Sequence, residues 1–143
     1  IVSYSKLKAV QLNESFTTRL IDEYPILFVA ASFADGISVF KGLEELKFKE
    51  SNRIESMQKA LKDAGVNINV KSNIVKIKGN QSQNGGNLVQ TNKDHRIAMS
   101  MLVFGMVSRQ PILVDDMRMI NTSFPGFKDC LQKIGANIEV VQK

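Results

Sequence analysis

A pattern that occurs twice places the strongest constraint on the fold of this chain. The segment ADGISVFKG (34–42) matches SRQPILVDD (108–116), and MQKALKDAGVNINV (57–70) matches FKDCLQKIGANIEV (127–140). Each copy predicts a helix, a strand, a loop, a second helix that ends at a glycine, and a further strand. We therefore predict an α/β (α+β) fold made of repeated units, with helices covering one face of small mixed sheets.

Apolar periodicity and turn residues give the approximate limits of the elements. Pro25 fits the first turn of a helix, which places Asp22 and Glu23 at its start, and Gly65 is expected to be the left-handed cap of the next helix. The predicted helices cover about 20–34, 51–64, 94–107 and 125–134, and the predicted strands cover 37–42, 66–70, 74–78, 112–116 and 136–140.

The limits of the two units follow from the same comparison. We place them at about 1–78 and 92–143, with the polar segment 79–91 between them as a surface loop that contains Gly85 and Gly86. The second unit stops one strand short, which would leave a sheet edge uncovered. Since the chain also begins with Ile1, we expect 1–143 to be part of a larger domain.

Composition narrows the class of protein. With 43% hydrophobic and 23% charged residues, the 143-residue chain is typical of a soluble globular protein. No apolar run is long enough for a membrane span and no signal peptide is recognisable, so no membrane is expected to be a partner. The single cysteine suits a reducing, cytoplasmic location, and one His with one Cys disfavours a structural zinc site, which takes four His or Cys ligands. The net charge of +5 favours anionic partners.

Two charged clusters near predicted helix starts suggest a site for anions. KESNRI (49–54) contains Arg53, and NKDHRIAMS (92–100) contains Arg96. Helix N-termini attract anions, and an arginine there can form a bidentate clamp for carboxylate or phosphate. Taken singly, each residue also has an ordinary structural interpretation. The arginines would be surface ion-pair residues, Asp22 a helix-dipole residue, Glu50 a capping or solvated charge, and His95 a structural histidine.

Four segments together resemble a known family. LIDEYPIL (20–27), LKFKESNRI (46–54), NKDHRIAMS (92–100) and NTSFPGF (121–127) resemble, in order and spacing, the C-terminal part of the 3-phosphoshikimate 1-carboxyvinyltransferases, also called EPSP synthases. The resemblance implies two similar domains, each of three βαβαββ units, with the active site between them. It also implies a monomer that uses neither a metal nor an organic cofactor. The implied reaction moves the enolpyruvyl group of phosphoenolpyruvate to the 5-hydroxyl of shikimate 3-phosphate, on the route to chorismate and the aromatic amino acids.

The resemblance also implies roles for individual residues. Asp22 would hold the shikimate hydroxyls and take the 5-hydroxyl proton, and Glu50 would handle the proton on the methylene carbon of phosphoenolpyruvate. Lys49 would lie near the substrate shikimate 3-phosphate. Arg53 and Arg96 would hold phosphoenolpyruvate mainly at its carboxylate, with His95 beside the second arginine.

The sequence departs from the family in two places and covers only part of it. Asn52 stands where an aspartate is usual, and Thr122 where many members have a lysine that contacts phosphoenolpyruvate. The phosphate-binding motifs of the N-terminal domain are not present, so we expect 1–143 to be a partial C-terminal domain, inactive without that domain as its partner.

Three other interpretations stay open at this point. One is a relative that transfers enolpyruvyl to UDP-N-acetylglucosamine, although such relatives lack the Asp-His-Arg triplet. Another is a basic RNA-binding module of the same repeat fold, which the scarcity of aromatic residues on the predicted strands disfavours, so no nucleic acid is expected as a partner. The third is an interaction module without catalysis.

Overall fold

The computed structural model describes residues 1 and 3–141. The strands are β1 (Gln11–Leu12), β2 (Ile37–Phe40), β3 (Asn67–Lys71), β4 (Ile74–Lys78), β5 (Leu88–Val89) and β6 (Leu113–Val114). The α-helices are α1 (Thr17–Leu20), α2 (Tyr24–Phe33), α3 (Arg53–Asp63), α4 (His95–Gly105), α5 (Ile120–Ser123) and α6 (Phe127–Lys133), and short 3-10 helices lie at Glu14–Phe16 and Glu44–Phe48.

The first sheet has four strands in the order β1-β2-β4-β3. β1 is parallel to β2, whereas β2 and β3 are both antiparallel to β4. Val75 and Ile77 of β4 are buried while Lys76 and Lys78 are exposed, because successive side chains of a strand point to opposite faces. The sheet therefore has one covered face and one solvent face, and it is mixed, as the sequence predicts.

Three helices, α2, α3 and α4, build the main core over this sheet. Met57 and Leu61 form the buried stripe of α3, and Ile97 and Met101 that of α4. Because residues from both repeat units belong to the same cluster, the units share one hydrophobic core. The predicted hairpin is also present, and Gly65 has φ +88°, as expected for a left-handed helix cap.

The second sheet contains β5 and β6, which are parallel. β5 precedes α4 and β6 follows it, so this unit repeats the β-helix-β order of β1, α2 and β2. The prediction that 79–91 is only a surface loop is therefore wrong. Gln83 and Val89 are buried. The Gln83 side-chain amide donates hydrogen bonds to backbone carbonyls, and Val89 belongs to β5, which pairs with β6.

The predicted strand at 136–140 is also wrong. The backbone there is not assigned to any strand, although Gly135, with φ +100°, ends α6 in the same left-handed way as Gly65 ends α3. A strand needs a neighbour that pairs with its backbone, and no strand pairs with this segment within the part of the chain that the structure describes. The predicted unit 92–143 includes residues 142 and 143, which lie outside the described residues.

No helix among residues 1 and 3–141 combines the length and apolar character required to cross a membrane.

Candidate functional site

The site is built where the N-terminal ends of α2, α3 and α4 meet. Asp22 lies in the turn before α2, Arg53 is the first residue of α3, and Asp94 is the N-cap of α4. These three segments come from distant parts of the sequence, and charged side chains join them. The two charged clusters of the sequence therefore form one constellation.

Arg53 is the centre of this constellation and is almost completely buried, with 1% of its side chain exposed. Its Nε donates to Asp94 Oδ2 at 2.9 Å, Nη1 to Asp22 Oδ1 at 2.8 Å and Nη2 to Glu50 Oε2 at 2.5 Å. Burial lowers the pKa of Arg53, but the hydrogen bond and charge of Asp94, the hydrogen bond to Asp22 and the charge of Glu50 raise it by more. Arg53 is thus a charged, buried link between segments and not a surface ion-pair residue.

The Asp94 carboxylate forms hydrogen bonds with two helices, α3 and α4. Its Oδ1 accepts a hydrogen bond from the Arg96 backbone N–H at 2.9 Å, which caps α4. Its Oδ2 accepts from Arg53 Nε at 2.9 Å and from the Ser51 hydroxyl at 3.0 Å. With 0% exposure, this carboxylate fixes the start of α4 against the start of α3.

Asp22 is the point on which the cations converge. Its Oδ1 lies 2.8 Å from Arg53 Nη1 and 3.4 Å from Lys49 Nζ, and its Oδ2 lies 4.0 Å from Arg96 Nη2. Burial raises the pKa of Asp22, but the hydrogen bond from Arg53 and the charges of Arg96, Lys49 and Arg53 together lower it below the ordinary value of 3.8. Asp22 is therefore ionised at neutral pH.

The Arg96 side chain extends toward the start of α2. Its Nη1 donates to the Asp22 backbone carbonyl at 2.8 Å and to Glu23 Oε1 at 2.9 Å. The side chain is 29% exposed, so a dissolved ligand can reach it, unlike Arg53. Arg96 and Arg53 thus differ in accessibility although both contact Asp22.

The remaining predicted residues lie nearby with fewer contacts. His95 is the half-buried first residue of α4, and no hydrogen bond of its side chain is found among the described residues. Glu50 has a side chain 49% exposed. Thr122, in α5, is exposed and donates its hydroxyl to the Met119 carbonyl at 2.7 Å, so it does not supply the cation that a lysine would bring.

Two cavities flank the constellation. One, of about 260 Å³, is lined by Asp22, Glu23 and Arg96 together with apolar residues that include Phe124 and Phe127. The other, of about 350 Å³, is lined by Glu50 with residues of α3 and β5. Arg53 lines neither of them, so these cavities do not provide the common concave surface that a clamp of both arginines requires.

The charges of the constellation nearly balance without a ligand. Three cations, Lys49, Arg53 and Arg96, face the carboxylates of Asp22, Glu23, Glu50 and Asp94. Because only 1% of the Arg53 side chain is exposed, a dissolved anion can reach this guanidinium only if one of its carboxylate partners moves away. No group of three or more His, Cys, Asp or Glu side chains in the described ranges has an arrangement that could hold a metal ion.

A comparison with models of protein families shows to which family this chain belongs. Residues 2–131 match the model described as "EPSP synthase (3-phosphoshikimate 1-carboxyvinyltransferase)". The chain belongs to the EPSP synthase family. Consistently, it is 44% identical to a 3-phosphoshikimate 1-carboxyvinyltransferase of Gluconobacter oxydans over 96% of the chain and 31% of that protein. It is 45% identical to one of Rhizobium johnstonii over 98% of the chain and 32% of that protein.

Solved structures agree on the fold of this EPSP synthase family member. An EPSP synthase from Acinetobacter baumannii superposes with a TM-score of 0.90 and 35% identity, over 96% of this chain and 32% of that one. The enolpyruvyl transferase NikO from Streptomyces tendae has a TM-score of 0.75 at 17% identity, over 95% of this chain and 30% of that one, which shows the same fold. The mixed α/β fold predicted from the sequence is thereby confirmed. The chain spans about a third of the length of the relatives it matches.

Sequence reasoning missed three participants in the constellation. Asp94 was seen only as part of a triplet, although an aspartate before an apolar helix is itself a capping signal. Ser51, which donates to Asp94, and Glu23, which accepts from Arg96, received no role at the site. Their partners are distant in sequence, so no local pattern indicates the contacts.

Proposed function

We propose that this chain supplies part of the active site for transfer of the enolpyruvyl group of phosphoenolpyruvate to the 5-hydroxyl of shikimate 3-phosphate, with release of phosphate. The single observation that supports this most is the convergence of Lys49, Arg53 and Arg96 on Asp22, beside Glu50. These are the residues that the family resemblance assigns to substrate binding and proton transfer. Membership of the EPSP synthase family supports the same reaction.

The proposed addition step needs a base and an acid on the two substrates. The 5-hydroxyl oxygen forms a bond to the central carbon of phosphoenolpyruvate, the hydroxyl proton passes to Asp22, and the methylene carbon gains a proton from Glu50. The lowered pKa of Asp22 keeps it ionised and able to accept that proton. In the elimination step, the new methyl group returns a proton to Glu50, the double bond re-forms, and phosphate leaves with the proton that Asp22 had accepted.

Replacement of a protein carboxylate on Arg53 by a substrate carboxylate would link substrate binding to proton transfer. Of the three carboxylates on Arg53, Asp94 is fully buried and Asp22 has further cations within 4.0 Å. Glu50 is half exposed, and among the described residues its side chain forms a hydrogen bond and ion pair with Arg53 alone. Glu50 is therefore the partner that leaves most easily when a substrate carboxylate arrives. Its departure opens Nη2 of Arg53 and releases Glu50 for proton transfer.

The proposed reaction also needs groups outside this chain. Phosphoenolpyruvate and shikimate 3-phosphate are highly charged, and the cations described here are already paired with carboxylates. We therefore propose that the rest of a full-length protein, acting as one monomer, supplies additional cations across a cleft. A cytoplasmic location stays a prediction from the single cysteine.

The proposal is tested by replacing the matched third of the Acinetobacter EPSP synthase with this chain and measuring phosphate release from the two substrates. We expect turnover from the chimera and none from the 143-residue chain alone. Arg96→Ala in the chimera should lower kcat/KM for phosphoenolpyruvate at least about tenfold, because a charge-assisted contact is lost. Arg109→Ala, an exposed arginine after the far end of α4, is the matched control and should change it less than about twofold.

Two outcomes would contradict the proposal. One is a chimera that folds, as shown by a cooperative thermal transition, but releases no phosphate. The other is an equal effect of Arg96→Ala and Arg109→Ala, which would assign Arg96 to ordinary surface charge. Full turnover by the isolated chain would instead contradict the requirement for groups outside it.

A further inference from the structure

We propose that Glu23 is a positioning residue that turns one edge of the Arg96 guanidinium toward an incoming carboxylate. The inference rests on the proposed function, in which Arg96 binds the carboxylate of phosphoenolpyruvate. It concerns a residue to which neither the sequence motifs nor the family comparison gives a role.

The distribution of hydrogen-bond acceptors around Arg96 supports this role. Nη1 donates to two acceptors, the Asp22 carbonyl at 2.8 Å and Glu23 Oε1 at 2.9 Å. Nη1 carries two hydrogens, so these contacts use both of them. Nε and Nη2 have no hydrogen-bond acceptor in the range 3–141, and the Asp22 carboxylate lies 4.0 Å from Nη2.

The unused edge has the geometry that a carboxylate needs. Nε–H and one Nη2–H of a guanidinium are parallel donors that bind both oxygens of a carboxylate or of a phosphate. A single anchor, the Asp22 carbonyl, would leave the guanidinium free to rotate about its contact. The second anchor at Glu23 prevents that rotation, and it therefore determines which edge of Arg96 remains available to the ligand.

Glu23 lies at a favourable position for a carboxylate. It is the residue immediately before α2, where a carboxylate interacts favourably with the positive end of the helix dipole. It also lines the cavity of about 260 Å³ that contains Arg96 and Asp22. Glu23 and Arg96 therefore border the same space.

Two substitutions separate positioning from charge. Glu23→Gln keeps an oxygen acceptor but removes the charge, whereas Glu23→Ala removes both. Both remove a negative charge that repels an anionic ligand, so the comparison between them isolates the anchor. Glu45→Ala, at an exposed glutamate in the 3-10 helix Glu44–Phe48, is the control for loss of one negative charge elsewhere.

The test is titration of the 143-residue chain with phosphoenolpyruvate, followed by NMR. We expect Glu23→Gln to bind at least as tightly as the unchanged chain and Glu23→Ala to bind at least about fivefold more weakly than Glu23→Gln, the effect of one hydrogen bond. In the chimera, Glu23→Ala should raise KM for phosphoenolpyruvate by a similar factor with little change in kcat. Equal or tighter binding by Glu23→Ala would overturn the proposal.

A second measurement keeps this inference separate from the proposed function. The Arg96 Nε–Hε signal of the ligand-free chain reports the mobility of the guanidinium. It should be rigid in the unchanged chain and in Glu23→Gln, and mobile in Glu23→Ala. If the isolated chain binds no phosphoenolpyruvate, because cations from outside it are also required, this signal still decides whether Glu23 positions Arg96. An Arg96 signal that is equally rigid in Glu23→Ala would show that it does not.

Discussion

Arg53 and Asp94 form an ion pair that is closed to solvent, with Nε 2.9 Å from Oδ2 and side-chain exposures of 1% and 0%. The two residues lie in different repeat units and at the starts of different helices, α3 and α4. Two buried charges are expensive to remove from water, so such a pair is tolerated only when its other hydrogen-bonding groups are satisfied. Asp22, Glu50, Ser51 and the α4 backbone provide those partners here.

The first prediction concerns this pair. Asp94→Ala leaves Arg53 buried with one partner fewer and removes the cap of α4, so it should lower the free energy of unfolding by about 3–5 kcal/mol. Asp94→Asn keeps an oxygen for the cap and should cost less. Urea denaturation of both variants measures this, with Glu45→Gln as an exposed control expected to stay within about 0.5 kcal/mol. An Asp94→Ala variant as stable as the control would contradict the role of the pair.

The second prediction concerns acid stability. Because the pKa of Asp22 is lowered in the folded chain, this carboxylate contributes stability above its ordinary pKa of 3.8, and the contribution is lost as the pH falls through the lower, folded value. The stability difference between the unchanged chain and Asp22→Asn should therefore be constant near neutral pH and shrink below 3.8. Denaturation at a series of pH values measures it. A difference that grows on acidification would show the opposite sign of shift.

The third prediction concerns an exposed pair away from the site. The hydrogen bonds from the Arg118 side chain and backbone lower the pKa of Asp116 to about 2. In Arg118→Ala the backbone N–H remains but the guanidinium is lost, so the pKa of Asp116 should rise toward the ordinary 3.8 without reaching it. An NMR titration of the Asp116 carboxyl carbon measures both values. The same low midpoint in the variant would assign the shift to another cause.

The fourth prediction concerns close packing at Gly79. A Cβ atom there would lie 1.8 Å from the Ala34 carbonyl oxygen and 2.7 Å from that of Ala31, so the backbone must move. Gly79→Ala should lower the free energy of unfolding by about 2–3 kcal/mol. Gly135→Ala is the matched control, since a Cβ atom there meets nothing within 4 Å and only φ +100° opposes it, at a cost of about 1 kcal/mol. The reverse order of the two effects would contradict the steric explanation.

The longer elements of the fold were predictable because their periodicity extends over several turns. The apolar stripe of α3 and the alternation of β3 and β4 place these elements within one or two residues of their observed limits. β1 and β5 contain two residues each, which is too short for an alternating pattern. Residues 136–140 do alternate, but alternation alone cannot supply the partner that a strand requires.

The sequence indicated some of the residues in the constellation, but not how buried they are or how they are paired. The motifs contain Asp22, Arg53 and Arg96, and in the structure both arginines pair with Asp22. The motifs did not indicate that Arg53 is buried, because its burial depends on three carboxylates from three separate segments. Whether these residues perform the roles that the resemblance implies stays a prediction for the experiments above.

The shared core and the Arg53–Asp94 pair have a consequence for any attempt to divide the chain. Because the chain contains two similar units, one could cut it in the segment 79–91 and produce each half separately. Such a cut would remove Asp94, one of three carboxylate partners, from Arg53, would leave the buried Asp94 carboxylate without its guanidinium partner, and would expose the surface between α2 and α4. We therefore expect the two halves to fold only when they are expressed together, because each half completes the core and the ion pair of the other.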